Sequence, residues 1–203
     1  MKGQVQSKMI VATLAALCAW SGQTSAIDGQ DAVFACKLYT TTQQDGAGTT
    51  LWLKANASSI SDEGQLQITT SESAATTFTF SRKSSWKHDT GGTAYYMTGS
   101  RYGRCIGFTA STPATLTAGT VVRSNQFCSD TNRMKVVLDK QGLKGFTIRN
   151  GAAGTLYFKP QSNTSGSNVL LAKFAADTTA TQVYYAKYCR TATNGQMRPK
   201  TGF

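Results

Sequence analysis

Residues Arg104–Leu138 read RCIGFTASTPATLTAGTVVRSNQFCSDTNRMKVVL. A short apolar strand opens with Cys105, a polar loop follows, a second strand closes on Cys128, and a third begins after Arg133. Val, Ile, Phe and Thr occupy the strand positions, and Ser, Asn, Asp and Gly cluster in the connections, the composition of strands joined by turns. The same order of strand, loop, strand, loop, strand precedes it over Leu51–Phe80 and follows it over Leu156–Tyr185. Beyond the N-terminal apolar run, no window carries apolar residues at i, i+3, i+4 and i+7 for long enough to make a helix. The fold class read from this pattern is all-β.

Working outward, twelve short strands fall into three units of four. The first unit centres on Phe34–Tyr39, Leu51–Lys54, Leu66–Thr69 and Phe78–Ser81; the second on Ala94–Thr98, Arg104–Phe108, Thr120–Arg123 and Lys135–Leu138. The third centres on Gly145–Arg149, Leu156–Lys159, Val169–Lys173 and Val183–Lys187. Trp52, Ile106 and Tyr157 stand 54 and 51 residues apart, and two later sets (Leu66, Val121 and Leu170; Thr79, Val136 and Tyr184) keep similar steps. Strand order is constant while loop length varies, as in an internal repeat whose sequence identity has faded. Isolated hairpins bury too little to stand alone. The expectation is a β-trefoil of three four-stranded units spanning residues 27–189.

The N-terminus has its own logic. MKGQVQSK is basic, MIVATLAALCAW is apolar, and Ser21–Ala26 are small and polar, the layout of a secretory signal peptide over residues 1–26. The apolar run is short of the roughly 20 residues a spanning helix needs, so no membrane span is expected. The chain of 203 residues carries 21 Lys and Arg against 10 Asp and Glu. Loss of Lys2 and Lys8 with the leader lowers the formal charge from +11 to about +9. The basic residues are scattered, which reads as a solvated surface rather than a nucleic-acid stripe, and no nucleic-acid partner is expected. The tail, residues 190–203, is basic, poor in apolar residues and expected to be disordered.

Cys18 leaves with the leader, and Cys36, Cys105, Cys128 and Cys189 remain. Four cysteines in a secreted chain imply two disulfides, with three connectivities that spacing alone leaves open. The repeat favours Cys105–Cys128 within the middle unit and Cys36–Cys189 between the first and last strands, where a closed barrel brings the termini together. No pair has metal or redox spacing, so neither a metal nor another cofactor is expected.

Arg104-Cys105-Ile106-Gly107-Phe108 answered by Phe127-Cys128 resembles a unit of the ricin-B-type β-trefoil lectins, and Gln182-Val183-Tyr184 is similar to their Gln-x-Trp sequence. The motif-level likeness covers Arg104–Cys128 and Thr181–Tyr184 only. It implies a carbohydrate-binding module. The family's sugar-binding aspartate would fall on Lys54, Gly107 or Lys159, none of which is a carboxylate, and Thr77-Phe78-Thr79-Phe80 and Arg133-Met134 stand where the other Gln-x-Trp sequences would.

Sugar sites pair an aromatic face with short polar groups. Candidates are Trp86, His88 and Asp89 in the connection between units one and two, Tyr102, Arg104, Asp130 and Asn132 in unit two, and Tyr157 and Gln182 in unit three. Trp52, Tyr157 and Tyr184, at strand centres, are also expected to fill the core. His88 is the lone histidine; Asp89 beside it points away on an extended loop, and Ser84 or Ser85 lacks a nucleophile elbow, so no catalytic residue is expected. Asp62 and Glu63, before Gly64, read as turn residues. Asn56 and Asn163 head glycosylation tripeptides in expected loops.

The functional expectation is therefore a secreted, extracellular, non-catalytic, lectin-like protein whose partner is a glycan or glycoprotein. Two alternatives remain open at this point. One is a Kunitz-like proteinase inhibitor of the same fold, with a reactive loop after Lys54. The other is a secreted effector or toxin acting on a host protein.

Overall fold

The computed structural model describes residues 31–43, 48–82, 94–99, 102–108, 116–129, 131–141, 145–152, 154–175, 181–193 and 196–199. Six strands make a barrel: β1 (Asp31–Thr41), β4 (Thr77–Arg82), β5 (Ala94–Thr98), β8 (Lys135–Gln141), β9 (Gly145–Asn150) and β12 (Tyr185–Thr193). Each pairs antiparallel with the next, from β1 through β4, β5 and β8 to β9, and β12 pairs back onto β1. Between β9 and β12 the barrel closes through Phe146 and Tyr184, which exchange N–H to carbonyl bonds of 2.9 and 2.7 Å. Closure removes the open edges that a sheet of this length would otherwise expose.

Three hairpins cap one end: β2 (Thr50–Asn56) with β3 (Gln65–Thr69), β6 (Cys105–Gly107) with β7 (Arg123–Gln126), and β10 (Leu156–Pro160) with β11 (Val169–Lys173). They bond to one another as well as to the barrel. Leu66 N–H donates to Val122 O at 2.9 Å, Val122 N–H to Val169 O at 2.9 Å, and Ile68 N–H to Ser167 O at 3.0 Å.

Strand register exposes the pseudo-threefold axis. Leu38 faces Ala186, Met97 faces Phe80, and Ile148 faces Leu138, so Leu38, Met97 and Ile148 are equivalent positions. All three are fully buried, as are the sets Phe78, Val136 and Tyr184, and Leu53, Ile106 and Phe158. The core is thus a stack of three-residue layers, one side chain from each unit, built from rigid branched and aromatic groups that pack to solid-like density. Trp52 and Tyr184 are buried as expected, and Tyr184 donates its hydroxyl to Phe158 O at 3.2 Å, which satisfies its one polar atom.

Four expectations shift. Trp52 and Tyr157 are equivalent to Cys105, not Ile106, because Trp52 pairs with Tyr39, Cys105 with Thr98 and Tyr157 with Arg149. Phe78 rather than Thr79 joins Val136 and Tyr184. The spacings located the strands but slipped one residue, and one residue turns a side chain to the opposite face. Second, the strand expected at Thr120–Arg123 lies at Arg123–Gln126, with Val121 making only an isolated bridge to Leu170. Third, Asn56 is the exposed last residue of β2 rather than a loop residue, while Asn163 does lie in an exposed turn.

The fourth shift is the tail. It is not disordered throughout: β12 continues past Cys189 to Thr193, and β13 (Gln196–Pro199) pairs with it, Thr193 opposite Gln196 and Arg190 opposite Pro199. Beyond the disulfide β12 thus lies between β1 and β13, which together take up its backbone groups.

Both disulfides form as expected, Cys36–Cys189 and Cys105–Cys128. Cys36–Cys189 spans a sequence separation of 153 and ties the first barrel strand to the last. Closing so long a loop restricts the unfolded chain by roughly 5 kcal/mol on the chain-entropy argument. Among the described residues no helix is long and apolar enough to cross a membrane.

Candidate functional site

Between units one and two the hairpins do not fill their seam. A hollow of about 360 Å³ lies there, lined by Ile60, Glu63, Asn125, Phe127, Ser129 and Met134 among others. Its unit-one wall is the loop from Ala57 to Gly64. Asp62 organises that loop: its carboxylate accepts from Ser58 N–H at 2.8 Å, Ser58 Oγ at 2.9 Å and Gly64 N–H at 2.9 Å. Those backbone bonds hold the Asp62 carboxyl below its ordinary range. Gly64 ends the loop with φ of 59°, where a Cβ would press on the Asn56 carbonyl and come 2.6 Å from Ser124 Oγ. Only glycine fits both demands. Asp62 is thus a turn residue, as read from the sequence.

The unit-two wall is β7 and the chain beyond it. Ser124, Asn125 and Gln126 are polar yet buried, and all reach across to the unit-one chain. Ser124 Oγ donates to Asn56 O at 3.2 Å, and Gln126 Nε2 to Glu63 O at 3.0 Å. Asn125 Nδ2 donates to Ser59 O at 3.1 Å, to Ile60 O at 3.3 Å and to Asp62 O. Loop carbonyls that would otherwise want water are satisfied by amide side chains. Asn125 Oδ1, by contrast, is buried and has no hydrogen-bond partner among the described residues.

Phe127 stands at the rim, 76% exposed, with Ile60 at 58% across from it. Phe127 lies just past the end of β7, beside Cys128, which is tied to Cys105. The Arg104 guanidinium stacks over one face of the Phe127 ring, 3.3 Å from its centroid, and the ring is otherwise largely exposed. Tyr102 donates its hydroxyl to Ser58 O at 3.1 Å and buttresses the loop from outside. Glu63 adds a half-exposed carboxylate, 3.6 Å from Arg123 Nε.

Of the residues singled out from sequence, Tyr102 and Arg104 come together here. Asn132 does not line the hollow. It sits in a 3-10 turn, Asn132–Met134, packed behind Gly107 and Gly151. That turn also closes the position where the lectin family's aspartate would stand, since a Cβ on Gly107 would meet Arg133 O at 2.6 Å and Met134 Sδ at 2.8 Å. Gln182 is fully buried, with Oε1 accepting from Ala175 N–H at 3.2 Å and Nε2 donating to Lys173 O at 3.0 Å. Both ends of its amide are used in holding the chain, so it is a structural brace rather than a sugar contact. Tyr157 is half-buried, its ring 5.5 Å from that of Phe174, apart from the hollow on unit three. Trp86, His88, Asp89 and Asp130, with Ser84 and Ser85, lie outside the described residues. Lys54 is half-buried within β2 and paired with Gln67, and the connection to β3 follows Asn56.

The sequence reading missed Ile60, Glu63, Asn125 and Phe127. Nothing local marks them, because they meet only across the seam. Among the described residues no three His, Cys, Asp or Glu side chains gather as a metal site would require.

No protein-family model and no curated protein matches the chain. Solved structures do. The designed threefold-symmetric protein ThreeFoil superposes over 75% of this chain and 96% of its own, with a TM-score of 0.56 and 15% identity. The chain is a β-trefoil. The trefoil is similar also to the Polyporus squamosus lectin, solved with a sialylated influenza-binding epitope, at a TM-score of 0.56 and 8% identity over 77% of this chain. A third likeness, to the GH43 β-1,3-galactosidase BT0265, has a TM-score of 0.51 and 11% identity over 78% of this chain. The trefoil spans 49% of the lectin and 29% of the galactosidase. At these identities the likeness is one of fold, including the fold-level resemblance to ricin-B-type lectins.

Proposed function

We propose that this is a secreted, non-catalytic trefoil that binds glycans in the hollow between units one and two. The observation that carries the reading is the exposed Phe127 ring beside a hollow lined by Glu63, Asn125 and Ser129. An aromatic plate takes the C–H face of a pyranose. The Glu63 carboxylate accepts hydrogen bonds from hydroxyl or amide groups, and the Ser129 hydroxyl can donate one. Such sites gain orientation from a few fixed polar groups and affinity from apolar contact.

The leader-like residues 1–26 support export, and two disulfides suit an oxidising compartment. Glycosylation at exposed Asn56 and Asn163 fits the same route. A glycan array followed by calorimetry tests the function. Phe127→Ala should weaken binding at least tenfold with thermal stability unchanged. Binding that survives this change, or an array with no bound glycan, would refute the reading.

A further inference from the structure

Among the described residues Tyr188 is the one non-glycine with positive φ, at 55°. It lies where β12 bulges past the disulfide. Ala35 pairs with Arg190 and Lys37 with Lys187, so Cys36 alone faces Tyr188 and Cys189. The bulge explains the backbone, since a G1-type bulge places one residue in the left-handed region, a position glycine usually takes. It does not explain the side chain, because glycine would adopt that conformation without strain. A tyrosine retained in a disfavoured conformation points to a use for its ring.

The ring's surroundings indicate the use. Tyr188 is 55% exposed. Lys187 Nζ lies 4.9 Å from its centroid, 5.6 Å from that of buried Trp52, and 3.4 Å from Glu72 Oε2. A hydrogen bond from the Tyr188 hydroxyl, with Lys187 beside it, holds the Glu72 carboxyl below its ordinary value. An exposed aromatic face, a carboxylate acceptor and an ammonium donor thus stand side by side at the seam where unit three's last strand meets unit one. Adjacent hydroxyls of a pyranose match that acceptor and donor spacing, and its C–H face matches the ring.

We infer that Tyr188, Glu72 and Lys187 form a second carbohydrate contact, so that one chain holds neutral sugar residues at two places. The inference rests on the glycan-binding reading above. A protein with two separated contacts cross-links a multivalent glycan and gains avidity from it.

The test uses the full mature chain and a fixed probe set of lactose, methyl α-mannoside and N,N′-diacetylchitobiose, with sites per chain counted by calorimetry and ligand-observed NMR. The expected result is two sites, falling to one in Tyr188→Gly and to one in Phe127→Ala, with none in the double variant. Tyr188→Gly should melt at the same temperature as the parent or higher, because the strain is relieved. Tyr188→Asn, which also tolerates the left-handed region, serves if the glycine variant misfolds. One site in the parent, abolished by Phe127→Ala alone, would overturn the second contact and leave the first reading standing. An unchanged site count in Tyr188→Gly with a lowered melting temperature would make the tyrosine structural and overturn it too. No binding of any probe by the parent would overturn both.

Discussion

The hairpin of unit one meets its two neighbours in different ways. Toward unit three the seam is closed by backbone: Ile68 N–H reaches Ser167 O at 3.0 Å, Gly166 N–H returns to Ile68 O at 2.8 Å, and Gln67 Nε2 bonds Asn168 Oδ1 at 3.1 Å. Behind that seam β11 is apolar, with Val169 and Leu171 buried. Toward unit two, the backbone bonds Leu66 N–H to Val122 O and Asn125 N–H to Glu63 O are supplemented by side chains, those of Ser124, Asn125 and Gln126, reaching for loop carbonyls. Backbone ladders bring strands to one fixed spacing, whereas side-chain amides hold the loop further off and leave a hollow. The repeat supplies the same frame three times, and the unit that departs from apolar filling is the one that opens a hollow.

The comparison can be broken most forcefully in the shared core. Phe158→Ala, in the layer with Leu53 and Ile106, should cost about 3–5 kcal/mol and lower the melting temperature, with both seams lost together in one transition. Separate melting of the two seams would show that the layers are not one cooperative core.

Next come two glycines. Gly64 and Gly166 both have positive φ, at 59° and 89°, but a Cβ on Gly64 would meet backbone while one on Gly166 would meet nothing within 4 Å. Gly64→Ala should therefore cost roughly 2–4 kcal/mol from strain and overpacking. Gly166→Ala should cost roughly 1 kcal/mol from backbone strain alone. Denaturant titration of the pair decides this, and equal losses would mean that the unit-one loop yields more readily than its contacts imply.

Acid sharpens the contrast further. Asp62 has a folded value held below its ordinary 3.8 by the Ser58 and Gly64 N–H groups. Its contribution to the loop is complete above that ordinary value and is lost as pH falls through the lower folded value. Amide exchange at Ser58 and Gly64 should quicken in that acid range while exchange at Ile68 and Ser167 stays slow. In Asp62→Asn the acid step should vanish. The smallest effect belongs to Arg123→Ala. It breaks a solvent-exposed pair with Glu63 and should change stability by under about 1 kcal/mol, read from the same denaturant curves.

These contrasts also separate what could be read from the chain from what could not. Barrel and hairpin strands such as Phe78–Ser81 and Val169–Lys173 were legible because their apolar residues serve one purpose, burial. Both disulfides were legible because the cysteines fall at matching ends of strands. Arg123–Gln126 was displaced because Ser124-Asn125-Gln126 has the composition of a turn, and only a partner loop far away in sequence makes burying it favourable. The final strand was hidden by charge and by the scarcity of apolar residues in the tail. The hollow escaped for the same reason as β7: Ile60 and Phe127 are unremarkable until two units are set side by side.

The bridge between Cys36 and Cys189 has a consequence for how the protein withstands proteolysis. A protease that cuts any connection between those two residues releases no fragment, since the ends of the domain stay covalently joined. The cut molecule is in effect the same ring opened at a new point, and it should persist as one particle until a reductant reaches the sulfurs.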